Sequence, residues 1–152
     1  MPLLIPAHTW ETTHEQTLRT TIHVTNQLQL ISFNALTKKG PWFRRKHAEA
    51  WRAAGAQAAI EASLPTTDTS PHTYAIIDAA IFKPTAVRYD PCNLAPVLKW
   101  AIDGMITDHG LLPDDNWLHL DGPHAHHGGI DRNNPRIEFT IHTYRKGPHA
   151  QS

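Results

Sequence analysis

Residues 73–82 read TYAIIDAAIF, and residues 93–109 read NLAPVLKWAIDGMITDH. The first run is short, apolar and rich in Ile and Ala, which predicts a strand that is buried on both faces. In the second run apolar residues recur every three or four positions, which predicts a helix with one buried face. That face consists of Leu94, Val97, Leu98, Ala101 and Met105. Asn93 would cap the start of this helix, and Gly110 would end it.

The remaining elements are predicted from the same two periodicities. Residues 136–144 alternate between apolar and polar side chains, which predicts a strand, whereas residues 43–64 are rich in Ala, Glu and Arg and predict a helix. Residues 20–32 indicate one strand or two short ones, residues 116–121 a short strand, and residues 122–135 a loop. The order is typical of an α+β domain with one mixed sheet and two main helices.

Length and composition limit the class of protein. The 152 residues predict a single domain over residues 20–145, after an irregular segment over 1–19 and before a flexible tail over 146–152. Lys and Arg total 14 and Asp and Glu total 14, so a uniformly basic coat is excluded while a local basic patch is not. The single cysteine excludes a disulfide framework and a zinc ribbon. No apolar run approaches the roughly 18 residues of a membrane span, so we expect a cytoplasmic protein.

Four aspartates lie around the predicted helix. Asp90 precedes it, Asp103 lies on it, and Asp114 and Asp115 form the turn after it. Such carboxylates are either turn and helix-start residues or ligands of a hard cation such as Mg²⁺. Metal-assisted phosphodiester cleavage needs two or three of them to converge, and a loop–helix–turn–strand unit could bring Asp90 and Asp115 together at one edge of the sheet, although composition alone favours the turn and helix-start roles. Lys99 is four residues before Asp103. The two side chains could form an exposed ion pair, or Lys99 could contact a phosphate group.

One dense basic run interrupts the otherwise neutral chain. Residues 38–47 read KKGPWFRRKH. Two large aromatic side chains thus lie among five cations, in a loop and at the start of the predicted helix. Cations neutralise phosphates and flat aromatic rings stack on bases. A solvated helix start is the alternative, but this density favours nucleic-acid binding by Lys38, Lys39, Arg44, Arg45 and Lys46.

A histidine group offers a different kind of site. It consists of His119, His124, His126 and His127. Neutral imidazole binds zinc and other transition metals, so a histidine-based metal protein is one hypothesis. The other is a polar, glycine-rich loop that contains histidine, because the spacing is not that of a helix-borne metal site.

Three segments of the chain together resemble the RusA-type Holliday junction resolvases. They are the motif residues 88–94 (RYDPCNL), 99–105 (KWAIDGM) and 110–115 (GLLPDD), and the resemblance extends in order and spacing over about residues 74–144. Asn34 and the pair Trp51-Arg52 are similar to the family more weakly. The resemblance implies a small homodimeric endonuclease, common in phages and prophages, that uses Mg²⁺, with Mn²⁺ as a substitute, to cut four-way DNA junctions symmetrically.

The resemblance also implies roles for individual residues. Asp90 matches the first motif carboxylate, Asp115 matches the carboxylate of the Asp-Asp turn, and Lys99 matches the catalytic lysine. Asp114 and Asp103 would support the metal. Cys92 stands where the family has its second motif aspartate, and a thiol is a poor ligand for Mg²⁺. The alternative is therefore a weak or inactive relative that binds DNA or a host protein, and Cys92→Asp is expected to restore a paired carboxylate.

Overall fold

Four strands form one mixed sheet, which a computed structural model describes together with its helices for residues 12–70 and 72–146. The strands are β1 (Thr12–His23), β2 (Tyr74–Lys83), β3 (Leu120–Ile130) and β4 (Arg136–Lys146). Their order across the sheet is β1-β4-β2-β3. β4 is antiparallel to both β1 and β2, whereas β2 and β3 run parallel. The α+β class with a mixed sheet is confirmed.

The helices fall into two groups along the chain. A short α1 (Phe33–Leu36) leads into the long α2 (Pro41–Glu61). The second group, which we call the rod, consists of three consecutive segments: a 3₁₀ turn (Pro91–Leu94), α3 (Ala95–Asp103) and a π-helical segment (Gly104–Asp108). None of the helices among the described residues is long and apolar enough to cross a membrane.

The core lies between these helices and one face of the sheet. Along β2 every second residue is buried, and the residues between them are only partly buried. The prediction of a strand buried on both faces is therefore wrong, because within the described residues the helices cover a single face. The predicted helix face is confirmed, since Leu94, Val97, Leu98, Ala101 and Met105 are each at most 3% exposed.

Two glycines let α2 and the rod that contains α3 approach each other closely. A Cβ atom on Gly55 would lie 1.9 Å from the carbonyl oxygen of Ala101, and one on Gly104 would lie 2.0 Å from that of Arg52. Only glycine fits at such a backbone-to-backbone contact. Arg52 also pairs with Asp108 at 2.7 Å, which ties the π-helical segment to α2. The buried face of α3 is thus held on α2 and the sheet, and its opposite face carries Lys99 into solvent.

The two edge strands differ most from expectation. β1 begins at Thr12, within the segment expected to be irregular. It ends at His23, nine residues before the end of the strand region predicted over residues 20–32. β3 occupies residues that were predicted to form a loop, because its backbone pairs with β2 over most of its length. Edge strands are partly exposed on both faces. Their sequences therefore show little of the alternation between apolar and polar residues from which a strand is predicted. Residues 1–11 and 147–152, which include most of the expected tail, lie outside the described residues.

Candidate active site

Lys99 joins two carboxylates that come from different elements. Its Nζ donates to Oδ1 of Asp103, one helical turn further along α3, at 2.6 Å. It also donates to Oδ2 of Asp115, which lies in the turn before β3. The side chain of Lys99 is 51% exposed, whereas those of Asp103 and Asp115 are 22% and 30% exposed. The cluster is therefore a solvent-facing site with partly shielded carboxylates.

The charges of this cluster stabilise one another. Hydrogen bonding from Lys99 lowers the pKa of Asp115 below its ordinary value. Partial burial acts to lower the pKa of Lys99, but the hydrogen bonds and charges of Asp103 and Asp115 outweigh it and raise that pKa. The ammonium group of Lys99 thus lies between two carboxyl groups, and its contact with Asp115 favours the charged forms of both partners.

Asp114 shapes the turn that places Asp115. Its Oδ1 accepts a hydrogen bond from the backbone N–H of Asp115 at 2.7 Å, and its Oδ2 accepts one from Nδ2 of Asn116 at 3.0 Å. Both oxygens of this carboxylate are thus engaged in contacts with the two residues that follow it. Asp114 lies next to the cluster and positions it.

Asp90 lies at the other end of the helical rod. Its side chain caps the 3₁₀ turn by accepting a hydrogen bond from the N–H of Cys92 at 3.0 Å, so the cap is Asp90 and not the predicted Asn93. The 3₁₀ and α segments have a summed rise of about 20 Å between Asp90 and Asp103, and of about 15 Å between Asp90 and Lys99. Within the described residues, Asp90 does not join Asp103 and Asp115 in a group that could hold a metal ion.

The fit of Mg²⁺ can be judged from this donor set. Within residues 12–70 and 72–146, no three His, Cys, Asp or Glu side chains are placed together to hold a metal ion. Asp103 and Asp115 provide hard oxygen ligands from two directions, and Mg²⁺ is commonly bound by one or two carboxylates while it keeps several waters. In this structure the ammonium group of Lys99 lies between these two carboxyl groups, where such an ion would bind. The two oxygens are of the kind that Mg²⁺ takes, but the described residues do not form a site that includes all four aspartates.

The predicted basic run forms an exposed surface on the α1–α2 junction. Trp42 is 69% exposed, with Nζ of Lys46 5.2 Å from its ring centroid. Nζ of Lys39 lies 5.1 Å from the ring centroid of Phe43. We call this the basic–aromatic surface, and its cations are the predicted Lys38, Lys39, Arg44, Arg45 and Lys46, all of which are exposed.

A groove connects the basic–aromatic surface to the start of the helical rod. It has a volume of about 560 Å³, and Lys39 and Phe43 line it on one side while Asp90 and Asn93 line it on the other. Lys83 and Tyr89 also line it, with Nζ of Lys83 4.9 Å from the Tyr89 ring centroid. The sequence analysis gave neither residue a binding role. The residues that line the groove are far apart along the chain, so no sequence spacing relates them and the groove could not be predicted from the sequence.

Cys92 is exposed and lies on the solvent side of the same rod. The exposed or partly exposed positions of this side are Cys92, Pro96, Lys99 and Asp103, which follow each other at helical spacing. Cys92 is therefore on the face that carries Lys99 and Asp103, close to Asp90 and remote from Asp115.

The histidine group lies along β3 and in the turn before it. Three of its members have separate partners: Nδ1 of His119 bonds the carbonyl oxygen of Thr73 at 2.8 Å, His124 pairs with Asp121 at 2.8 Å, and His127 bonds the hydroxyl of Tyr89 at 2.6 Å. These partners point the imidazoles in different directions. Within the described residues, the histidine group is not gathered into a set that could hold a metal ion.

The chain was compared with models of protein families, with curated proteins and with solved structures. None of the three comparisons gave a match.

Proposed function

We propose that this protein is a RusA-like endonuclease that cuts branched DNA with Mg²⁺. The observation that carries the proposal is the convergence of Asp103 and Asp115 on Lys99 at a solvent-facing point. Two carboxylates and a lysine are the groups that metal-assisted phosphodiester cleavage uses. Lys99 and Asp103 lie on the rod, whose start faces the basic–aromatic surface across the groove, and Asp115 reaches Lys99 from the turn before β3.

The basic–aromatic surface supports DNA as the substrate. Its five cations can neutralise the phosphates of the DNA backbone, and its aromatic rings can stack on unpaired bases outside the DNA double helix. The distance along the rod from Asp90 to Lys99, about 15 Å, corresponds to roughly four base steps of a duplex strand. A strand held by the basic–aromatic surface could therefore extend along the rod to Lys99.

Each residue of the cluster has a role in the proposed mechanism. Asp103 and Asp115 would hold Mg²⁺, or Mn²⁺ in its place, and Asp114 would keep the turn of Asp115 in position. The bound ion would activate water and neutralise charge on the phosphodiester. Lys99 would leave the carboxylate pair and donate a hydrogen bond to a phosphate oxygen, where negative charge develops. Asp90 holds the start of the rod and contributes to the groove.

A homodimer in the cytoplasm of a bacterial host cell is part of the same proposal. Symmetrical cleavage of a four-way junction requires two active sites, one on each side of the branch point. The face of the sheet that the described helices leave open measures about 35 by 19 Å from standard strand dimensions. Two such faces would bury roughly 1,300 Å² in total, which lies within the range of stable interfaces.

A DNA-binding relative that does not cut is the second candidate. The observation that favours it is the ammonium group of Lys99, which already neutralises part of the charge that would attract a metal ion. Cys92 at the position of a family aspartate favours it as well.

The deciding experiment is cleavage of a labelled four-way junction in Mg²⁺. We expect wild type to cut, and Asp103→Asn and Asp115→Asn to lose at least about a hundredfold in rate, or about 2.7 kcal/mol of barrier lowering. Glu61→Gln, an exposed carboxylate at the far end of α2, is the matched control and should cut like wild type. Junction binding without cleavage by wild type would favour the second candidate.

Cys92→Asp distinguishes the two possible positions of the metal. If the ion binds between Asp103 and Asp115, an aspartate at position 92 adds no ligand, and the rate of cleavage should stay within about twofold. A gain of tenfold or more would instead place the metal at the start of the rod, beside Asp90.

A further inference from the structure

A second pocket lies on the other side of Phe43 from the groove. It has a volume of about 400 Å³ and is formed between the loop after β1 and the first turns of α2. Its lining combines amide, aromatic and cationic side chains: Asn26, Gln27, Gln29, Phe43, Lys46, His47 and Ala50. Phe43 lines both cavities, so its ring separates the two.

The wall of this pocket is held in place by hydrogen bonds. The indole Nε1 of Trp51, a fully buried residue of α2, donates to the carbonyl oxygen of Gln29 at 3.2 Å. Within the loop, Nε2 of Gln29 donates to the carbonyl oxygen of Asn26 at 3.0 Å, and the hydroxyl of Thr25 accepts from the N–H of Leu28 at 3.1 Å. The loop is thus fixed on α2, and the pocket is largely preformed.

His47 provides a polar group that the described protein does not satisfy. The residue is 8% exposed, and its ring centroid lies 4.2 Å from that of Phe43. Within residues 12–70 and 72–146, its buried Nδ1 has no hydrogen-bond partner. Burial, and then the charge of Lys46, lower the pKa of His47, so the imidazole is neutral at neutral pH. Buried polar atoms without a partner are rare, and a neutral ring can pack against Phe43 without the cost of a buried charge.

We propose that this pocket binds one unpaired nucleobase of the DNA substrate, an inference that rests on the proposed function. The rings of Phe43 and His47 offer an apolar wall on which a base stacks. The amides of Asn26 and Gln27 carry both donors and acceptors, which suit the exposed edge of an unpaired base. Lys46 lies at the rim, where it can neutralise the phosphate of the same nucleotide.

The size and surroundings of the pocket support a base over other ligands. A volume of about 400 Å³ lies at the lower end of the range for small-ligand pockets and accommodates a base with its sugar. The pocket opens beside Lys46 and Trp42 of the basic–aromatic surface, so a strand held there passes its rim. The substrate would consequently be branched DNA with a nucleotide extruded near the branch point.

The test compares two labelled four-way junctions, one fully paired and one with a single unpaired 2-aminopurine nucleotide at the branch point. We expect the second to bind about fivefold to tenfold more tightly, with its fluorescence quenched as the base stacks. Asn26→Ala/Gln27→Ala, two exposed loop positions, should reduce the preference to less than about twofold while affinity for the paired junction stays the same. Arg45→Ala, outside the pocket, should weaken both junctions equally.

Three outcomes would overturn this inference. Equal affinity for the two junctions with no quenching would refute the base pocket and leave the proposed endonuclease intact. Binding of free deoxyadenosine monophosphate as tightly as the unpaired junction would assign the pocket to a free nucleotide and not to a DNA strand. Binding of neither junction would refute the proposed function together with the pocket.

Discussion

At the scale of single residues, Lys99 decides how the acidic groups are arranged. Its contact with Asp103 follows from helical spacing, but its contact with Asp115 crosses 16 residues of chain. The lowered pKa of Asp115 makes its contribution to stability complete above the unfolded-state pKa of about 3.9, and that contribution is lost as the pH falls through the folded value. The raised pKa of Lys99 makes its contribution complete below about 10.4, and it is lost as the pH rises through the folded value.

Lys99→Met should separate metal binding from cleavage. Removal of the ammonium group leaves Asp103 and Asp115 without a cation, so we expect Mg²⁺ to bind several-fold more tightly and the junction to be cut at least tenfold more slowly. The pKa of Asp115 should rise toward its ordinary value. Calorimetric titration with Mg²⁺, NMR titration of the carboxyl group and the cleavage assay measure the three effects. Weaker Mg²⁺ binding by this variant would contradict the proposed position of the ion.

At the scale of elements, the contact between α2 and the rod determines where the site points. Val97, Leu98 and Ala101 face the core, so the opposite side of α3 must face solvent. The π-helical segment follows directly and is held to α2 by the Arg52–Asp108 pair. The rod can lie this close to α2 only because glycine occupies the two crossing positions.

Gly104→Ala should therefore destabilise the fold strongly. The added Cβ atom would meet the carbonyl oxygen of Arg52, a backbone atom that cannot move without displacing α2, and we expect a loss of about 2–4 kcal/mol in the free energy of unfolding. Gly40→Ala is the matched control, because nothing lies within 4 Å of a Cβ atom there. Urea denaturation monitored by circular dichroism compares the two. Equal midpoints for both variants would show that the helices are not in contact at Gly104.

At the scale of the whole molecule, a chain without net charge carries a local basic surface. The 14 basic and 14 acidic residues balance, yet five of the cations are gathered at the α1–α2 junction and two aspartates are gathered at Lys99. DNA should consequently meet one side of the protein, and the affinity should depend on a small number of phosphate contacts.

Salt dependence measures these contacts. Five phosphate contacts predict a slope of about −4 to −5 in a plot of log affinity for the four-way junction against log salt concentration. Arg44→Ala/Arg45→Ala should make that slope shallower by about 2. Arg132→Ala, an exposed arginine in the turn between β3 and β4, should leave it unchanged. A flat salt response in wild type, or equal affinity for junction and linear duplex, would count against binding of branched DNA by this surface.

The sequence by itself determined the features that depend on neighbouring residues. The apolar stripe of α3, the alternation of β4 and the pairing of Lys99 with Asp103 follow from helix or strand periodicity, and the basic–aromatic surface follows from a dense run of cations in one short stretch of chain. The α+β class follows as well, because the order of the elements permits few arrangements.

Only the tertiary structure decided which distant residues meet. Asp115 reaches Lys99 and Asp90 does not, because a rod of fixed rise separates the two ends of the acidic set. β3 exists because β2 supplies backbone partners to a segment that has no hydrophobic pattern of its own. Within the described residues, Nδ1 of His47 is buried without a hydrogen-bond partner, in the region where the loop after β1 lies against α2. Such contacts join residues far apart along the chain, where local periodicity carries no information.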